Sequence, residues 1–126
     1  MKKLLTVLLL VLLFTGCKKE AAKTVVYESN PTKTISCPDM EEKVKNGALL
    51  IDVRNPDEYN AEHIDNAINI PSSEIEAKIA EYAKDRYVTI ILYCQSGVRA
   101  NQSAIKLMDL GYKNVYSLGG IRKCKK

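Results

Sequence analysis

Two stretches limit the folds open to this chain more than anything else in it. Ala48-Leu49-Leu50-Ile51-Asp52-Val53 and Val88-Thr89-Ile90-Ile91-Leu92-Tyr93 are almost unbroken apolar runs of strand length. Neither shows the alternation of a strand with one wet face, so each reads as a strand buried on both faces. Strands of that kind need helices on either side, and the segments around them carry helical signals.

Ser36-Cys37-Pro38-Asp39 offers an N-cap serine, an acid three residues on and a proline in the first turn. Met40 and Val44 then fall on one helical face, and Asn46-Gly47 ends the element. Asn55-Pro56-Asp57-Glu58-Tyr59 opens a second helix, and Ala67-Ile68-Asn69-Ile70 makes a brief strand stopped by Pro71. A helix over 73–82 follows with Ile75, Ile79 and Tyr82 at helical spacing, and beyond strand 88–93 come a helix over 100–110, closed by Gly111, and a strand over 115–118. Alternating strands and helices predict an α/β fold with a mostly parallel central sheet and helices on both faces. In such sheets ligands sit at the carboxyl ends of the strands, which places Asp52 and Cys94 at one rim.

Between strand 88–93 and the following helix lies Cys94-Gln95-Ser96-Gly97-Val98-Arg99. Cysteine is a nucleophile as the thiolate, whose formation is favoured at a helix N-terminus or beside a cation. Cys94 has both prospects, a helix starting after the loop and the permanent charge of Arg99. Gly97 frees the backbone between them, so successive amides can turn inward around an anion. The same residues also suit an inert strand end with a buried thiol, a turn and a solvated arginine. The loop by itself leaves both readings open.

The N-terminus reads as targeting rather than fold. Met1-Lys2-Lys3 is basic, and residues 4–14 are apolar apart from Thr6, too short a run to span a bilayer as a mature helix. The following Phe14-Thr15-Gly16-Cys17 resembles the lipobox of bacterial lipoproteins, with Phe14 where that family usually has Leu. The resemblance implies cleavage after a signal peptide, residues 1–16, and a lipid on Cys17. Each buried lipid CH₂ contributes about 0.8 kcal/mol, so two or three chains hold a protein at a membrane. Residues 17–33 are polar and irregular and read as the lipid anchor and a flexible tether, with the domain proper over 34–126. The expected location is the extracytoplasmic or periplasmic face of a membrane.

Without Lys2 and Lys3, 17 basic side chains face 15 acidic ones, a net charge near +2 that argues against nucleic acid as the main partner. With one Phe and no Trp, the core must be largely aliphatic. Outside the lipobox remain Cys37, Cys94 and Cys124, an odd number, so at least one thiol stays unpaired in an oxidising compartment. Their spacing fits no zinc pattern, and His63 is the sole histidine, so no metal site is expected. Cys37 and Cys124 have three open fates: paired together, free, or, for Cys124, resolving an oxidised Cys94.

Three motifs together resemble the rhodanese (sulfurtransferase) family. They are CQSGVRA after a hydrophobic strand, IDVRNPDEYNAEHIDNAINIP over 51–71, and YKNVYSLGGI over 112–121. The likeness covers residues 34–121 in order and is greatest to small, single-domain, exported members of the phage-shock type. Glu62 and Asn66 stand where the family commonly has glycine, and only IRKCKK follows Gly120, so one flank of the site is expected to be thinly covered or to borrow cover from a partner.

The resemblance implies a two-step sulfur transfer without a cofactor. Cys94 would take the outer sulfur of an anionic donor such as thiosulfate or polysulfide as a persulfide and pass it to a thiophilic acceptor, cyanide or a thiol. The amides of Gln95, Ser96, Gly97, Val98 and Arg99, with the Arg99 guanidinium, would bind the donor. The six-residue span from Cys94 to Arg99 is the sulfurtransferase length, one residue shorter than in related phosphatases and arsenate reductases. Asp52 is expected to accept hydrogen bonds from the loop and Arg54 to pair with Glu58, both as support for the site, and His63 is expected to be structural. Two other roles stay open: a non-catalytic binding or persulfide-sensing module, and a thiol redox protein built on Cys94 and Cys124.

Overall fold

A computed structural model describes residues 32–125. The expected signal peptide, Cys17 and most of the tether lie outside those residues. In chain order the elements are β1 (Lys33–Thr34), α1 (Cys37–Lys45), β2 (Leu49–Asp52), α2 (Pro56–Ala61), β3 (Ile68–Asn69), α3 (Ile75–Tyr82), β4 (Thr89–Cys94), α4 (Val98–Asp109) and β5 (Asn114–Gly120), then a short 3-10 helix, Ile121–Lys123. Among the described residues no helix is long and apolar enough to cross a membrane.

The strands form one sheet in the order β1-β5-β4-β2-β3, with every neighbouring pair parallel. The two apolar runs, β2 and β4, lie side by side inside it, with Ile51 opposite Leu92 and Asp52 opposite Tyr93. Their side chains divide between two cores. Ile51, Ile90, Leu92 and Cys94 face α3 and α4 among Ile75, Ile79, Ala100, Ala104 and Leu107. Leu50, Ile91 and Tyr93 face the other way, among Met40 of α1, Leu118 and Ile121, with Tyr59 of α2 packed alongside. Burial on both faces is what removed the alternation from the sequence.

The caps follow their expected chemistry. Ser36 Oγ accepts from the Asp39 amide at 3.2 Å and donates to the Asp39 carboxylate at 2.6 Å, which starts α1. On α3 the expected stripe shifts by one residue: Ile75, Ile79 and Ala83 are buried, whereas Tyr82 is 48% exposed. Positions 75, 79 and 83 lie four apart on one helical face, and Tyr82 has rotated off it. The two-residue β1 is too short to announce itself in the sequence.

Cys37 and Cys124 form a disulfide, tying the start of α1 to the end of the 3-10 helix. Cys94 is the free, buried cysteine among the described residues. The pairing therefore removes Cys124 as a resolving partner for Cys94.

Candidate active site

β4 delivers Cys94 as its last residue, and Gln95 to Gly97 carry the chain into α4. The helix begins at Val98, two residues before its expected start, because Gly97 serves as N-cap with φ 105°, a left-handed conformation that glycine adopts without strain. In that conformation the Gly97 amide turns back and donates to Cys94 Sγ at 2.9 Å. Val98 and Arg99 thus lie in the first helical turn, whose free N–H groups give that end a partial positive charge. Cys94 itself has 0% exposure, while Val98 is 60% exposed. The sulfur lies at the base of the loop, enclosed by it.

The end of β5 braces this loop. Cys94 pairs with Gly120, and a Cβ on Gly120 would stand 2.6 Å from the Gln95 carbonyl oxygen. Any side chain at 120 therefore displaces the loop. The Gly119-Gly120 pair was legible as part of a family motif, but its role as the surface on which the loop rests was not.

Four charged side chains surround the loop in two pairs. Arg54 donates from Nε to both Asp52 oxygens at 3.0 and 3.1 Å and from Nη2 to Oδ2 at 2.7 Å. Arg54 Nη2 also donates to the Glu62 carbonyl at 2.6 Å, and Nη1 reaches Gln95 Oε1 at 3.3 Å. Both partners are buried, Asp52 at 0% and Arg54 at 3% exposure. The hydrogen bonds that Arg54 donates to the Asp52 carboxylate hold its guanidinium even more firmly protonated than usual, against the opposing pull of burial. Asp52 thus supports the loop at one remove, through Arg54 and Gln95, rather than by accepting from it.

The expected pairing of Arg54 with Glu58 does not form. Glu58 instead grips Arg99 with both oxygens, at 2.9 and 3.1 Å. Glu58 Oε2 also accepts from the Asn55 amide at 2.9 Å, a capping interaction that aims the carboxylate toward α4. Arg99 first, and the Asn55 N–H second, pull the Glu58 pKa down to about 2. Arg99 in turn is held protonated by Glu58 and, more weakly, by the field of Cys94. Asn55 and Glu58 had the spacing of a cap in the sequence; the partner across the fold had no local signal.

His63 takes the structural place expected of it. Its ring stacks on Tyr59 at 3.9 Å between centroids, and Nδ1 lies 2.9 Å from the Tyr59 carbonyl. Tyr93, beneath the Asp52 and Arg54 pair, has its phenol pushed up by burial and receives the Ile64 amide at 3.0 Å. The two glycine departures are absorbed locally. Asn66 adopts φ 70°, which asparagine tolerates, and Glu62 is extended at φ −167°, where no glycine is needed. Near the C-terminus, Arg122 and Lys125 reach the Glu62 carboxylate at 3.7 and 3.3 Å.

Residues 36–126 match the Rhodanese-like domain family. The chain belongs to that family. Among its curated rhodanese relatives is the thiosulfate sulfurtransferase PspE of Escherichia coli, 39% identical over 72 residues that span 57% of this chain and 69% of that protein. A solved rhodanese with anions from E. coli superposes with a TM-score of 0.59 at 36% identity, covering 61% of this chain and 91% of the other. The domain also matches part of longer proteins: a tRNA uridine(34) hydroxylase of Hamiltonella defensa is 31% identical over 99 residues, 72% of this chain but 28% of that protein. Rhodanese-like relatives thus include sulfurtransferases, and the fold class expected from the sequence is the one observed, with a sheet that is wholly parallel.

Proposed function

We propose that this protein is a sulfurtransferase that carries sulfane sulfur on Cys94, taking it from thiosulfate or a related donor. The observation that carries the reading is the Gly97 amide donating to Cys94 Sγ at 2.9 Å, at the base of a loop that ends in a helix N-terminus and Arg99. The Gly97 amide, the N-terminus of α4 and Arg99 give the loop around that sulfur groups that attract an anionic donor. Similarity to a thiosulfate sulfurtransferase supports the same chemistry.

In the first step the Cys94 thiolate attacks the outer sulfur of thiosulfate. A new S–S bond forms, the old one breaks, and its electron pair leaves with sulfite. Cys94 persulfide carries one negative charge and sulfite two, as thiolate and thiosulfate did. In the second step cyanide or a thiolate takes the outer sulfur and Cys94 returns to the thiolate. The amides of residues 95–99 and the Arg99 guanidinium would hold the donor, while Asp52 and Arg54 keep Gln95 in position. Because Cys94 has no exposed surface, the loop around it must open for the donor to reach the sulfur.

Thiocyanate production from thiosulfate and cyanide tests this reading. The protein is expected to turn over and Cys94→Ser to be inactive; equal activity in both would remove Cys94 from the reaction. The enclosure of Cys94 favours a second reading, a non-catalytic docking or persulfide-sensing module, which predicts at most one sulfur bound per chain and no turnover.

The proposed location is a membrane surface outside the cytoplasm, through lipid on Cys17. Labelled fatty acid supplied to producing cells should enter the wild-type protein and not Cys17→Ser; label retained in the variant would contradict the anchor.

A further inference from the structure

Resting on the sulfurtransferase reading, we infer that Glu58 is a positioning residue that sets donor selectivity by charge, holding a fixed negative charge against Arg99 so that the site disfavours dianionic donors relative to singly charged ones.

The four charges at the loop cancel: Asp52 with Arg54, and Glu58 with Arg99. Arg54 is committed, with donors engaged on Asp52, the Glu62 carbonyl and Gln95. That leaves Arg99, about one-third exposed and within the field of Cys94, as the cation available to an incoming anion. Glu58 already occupies its fork.

The decisive feature is how Glu58 is anchored. Its Oε2 accepts from the Asn55 amide as well as from Arg99, and Asn55 and Glu58 both belong to the start of α2. When a donor draws Arg99 toward itself, the carboxylate stays where the α2 cap holds it. The donor then feels one cation and one nearby anion, and each additional negative charge on it adds repulsion. A unit charge about 5 Å away in a water-like medium changes affinity about fourfold, an effect that salt screens.

The test pairs thiosulfate, a dianion, with methanethiosulfonate, a monoanion that presents the same kind of outer sulfur and releases methanesulfinate. Each is assayed with wild type, Glu58→Gln and Glu58→Asp. Glu58→Gln should raise the thiosulfate-to-methanethiosulfonate ratio of kcat/KM about three- to fivefold, mainly through the KM for thiosulfate, with the gain shrinking at high ionic strength. Glu58→Asp, which keeps the charge, should stay near the wild-type ratio. Mere loosening of the loop slows both donors alike and leaves the ratio unmoved, and an unmoved ratio would overturn the inference.

A second pair of probes works without sulfur transfer. Alkylation of Cys94 by iodoacetate and by neutral iodoacetamide, followed by mass, should show the same three- to fivefold rise in the charged-to-neutral ratio for Glu58→Gln. If wild type transfers sulfur from neither donor, the sulfurtransferase reading fails while the alkylation ratio still decides the role of Glu58. An unchanged alkylation ratio, or no alkylation by either reagent, overturns that role.

Discussion

The buried pair of Asp52 and Arg54 is the most sensitive point at the scale of single residues. Removing one partner leaves an uncompensated charge at 0% or 3% exposure, which typically costs about 3–5 kcal/mol. Arg54→Ala should therefore lower the urea midpoint sharply and release Gln95, so that sulfur transfer falls even in the fraction that stays folded. A midpoint within experimental error of wild type would contradict the pairing. Glu58 gives a pH prediction of known sign. Its folded pKa of about 2 lies below the ordinary 4.5, so its contribution is fully present above 4.5 and lost as pH falls toward 2. Both side chains of the Glu58–Arg99 pair are about one-third exposed, which limits the contribution to under about 1 kcal/mol. Acid unfolding curves should show wild type losing its small advantage over Glu58→Gln across that window; a constant offset would count against the assignment.

Among the elements, the junction of β4, its loop and α4 carries the account, and Gly120 tests it from behind. Gly120→Ala places a Cβ 2.6 Å from the Gln95 carbonyl oxygen, closer than real structures allow, so the loop or β5 must shift. Sulfur transfer should fall by an order of magnitude or more, since small misplacements of reacting groups cost about 100-fold. Full activity in Gly120→Ala would show that β5 does not brace the loop. This junction also marks how far the sequence could be read. Cys94, Gly97 and Arg99 were legible because a strand end, a glycine and a helix start are local signals. The helix start itself was placed two residues late, since a glycine N-cap carries no side-chain signal. Glu58 was matched to the wrong arginine, because the α2 cap that aims its carboxylate and the α4 turn that receives it are joined only by the fold. Ile75, Ile79 and Tyr82 share helical spacing in the sequence, yet the buried face runs through Ile75, Ile79 and Ala83 and leaves Tyr82 exposed.

At the largest scale, the two cores and five-stranded sheet of the described residues are closed by a covalent tie, Cys37 to Cys124, at a sequence separation of 87. In the chain-entropy picture a loop of that size contributes about 4.6 kcal/mol by restricting the unfolded chain, against about 2–4 kcal/mol for disulfides in general. The reduced protein, or Cys37→Ser with Cys124→Ser, should melt several degrees lower while retaining Cys94 chemistry, and calorimetry with and without reductant checks both. The sequence left this pairing open among three fates because residues 37 and 124 meet only after β1, β5 and the 3-10 helix have packed. The most direct test of the central claim is the intact mass of the reduced protein after brief exposure to thiosulfate, beside Cys94→Ser. A gain of one sulfur atom, about 32 Da, that is absent in the variant and removed by cyanide is the predicted result for a persulfide carrier. A gain that persists in Cys94→Ser, or no gain from thiosulfate or polysulfide, would contradict it.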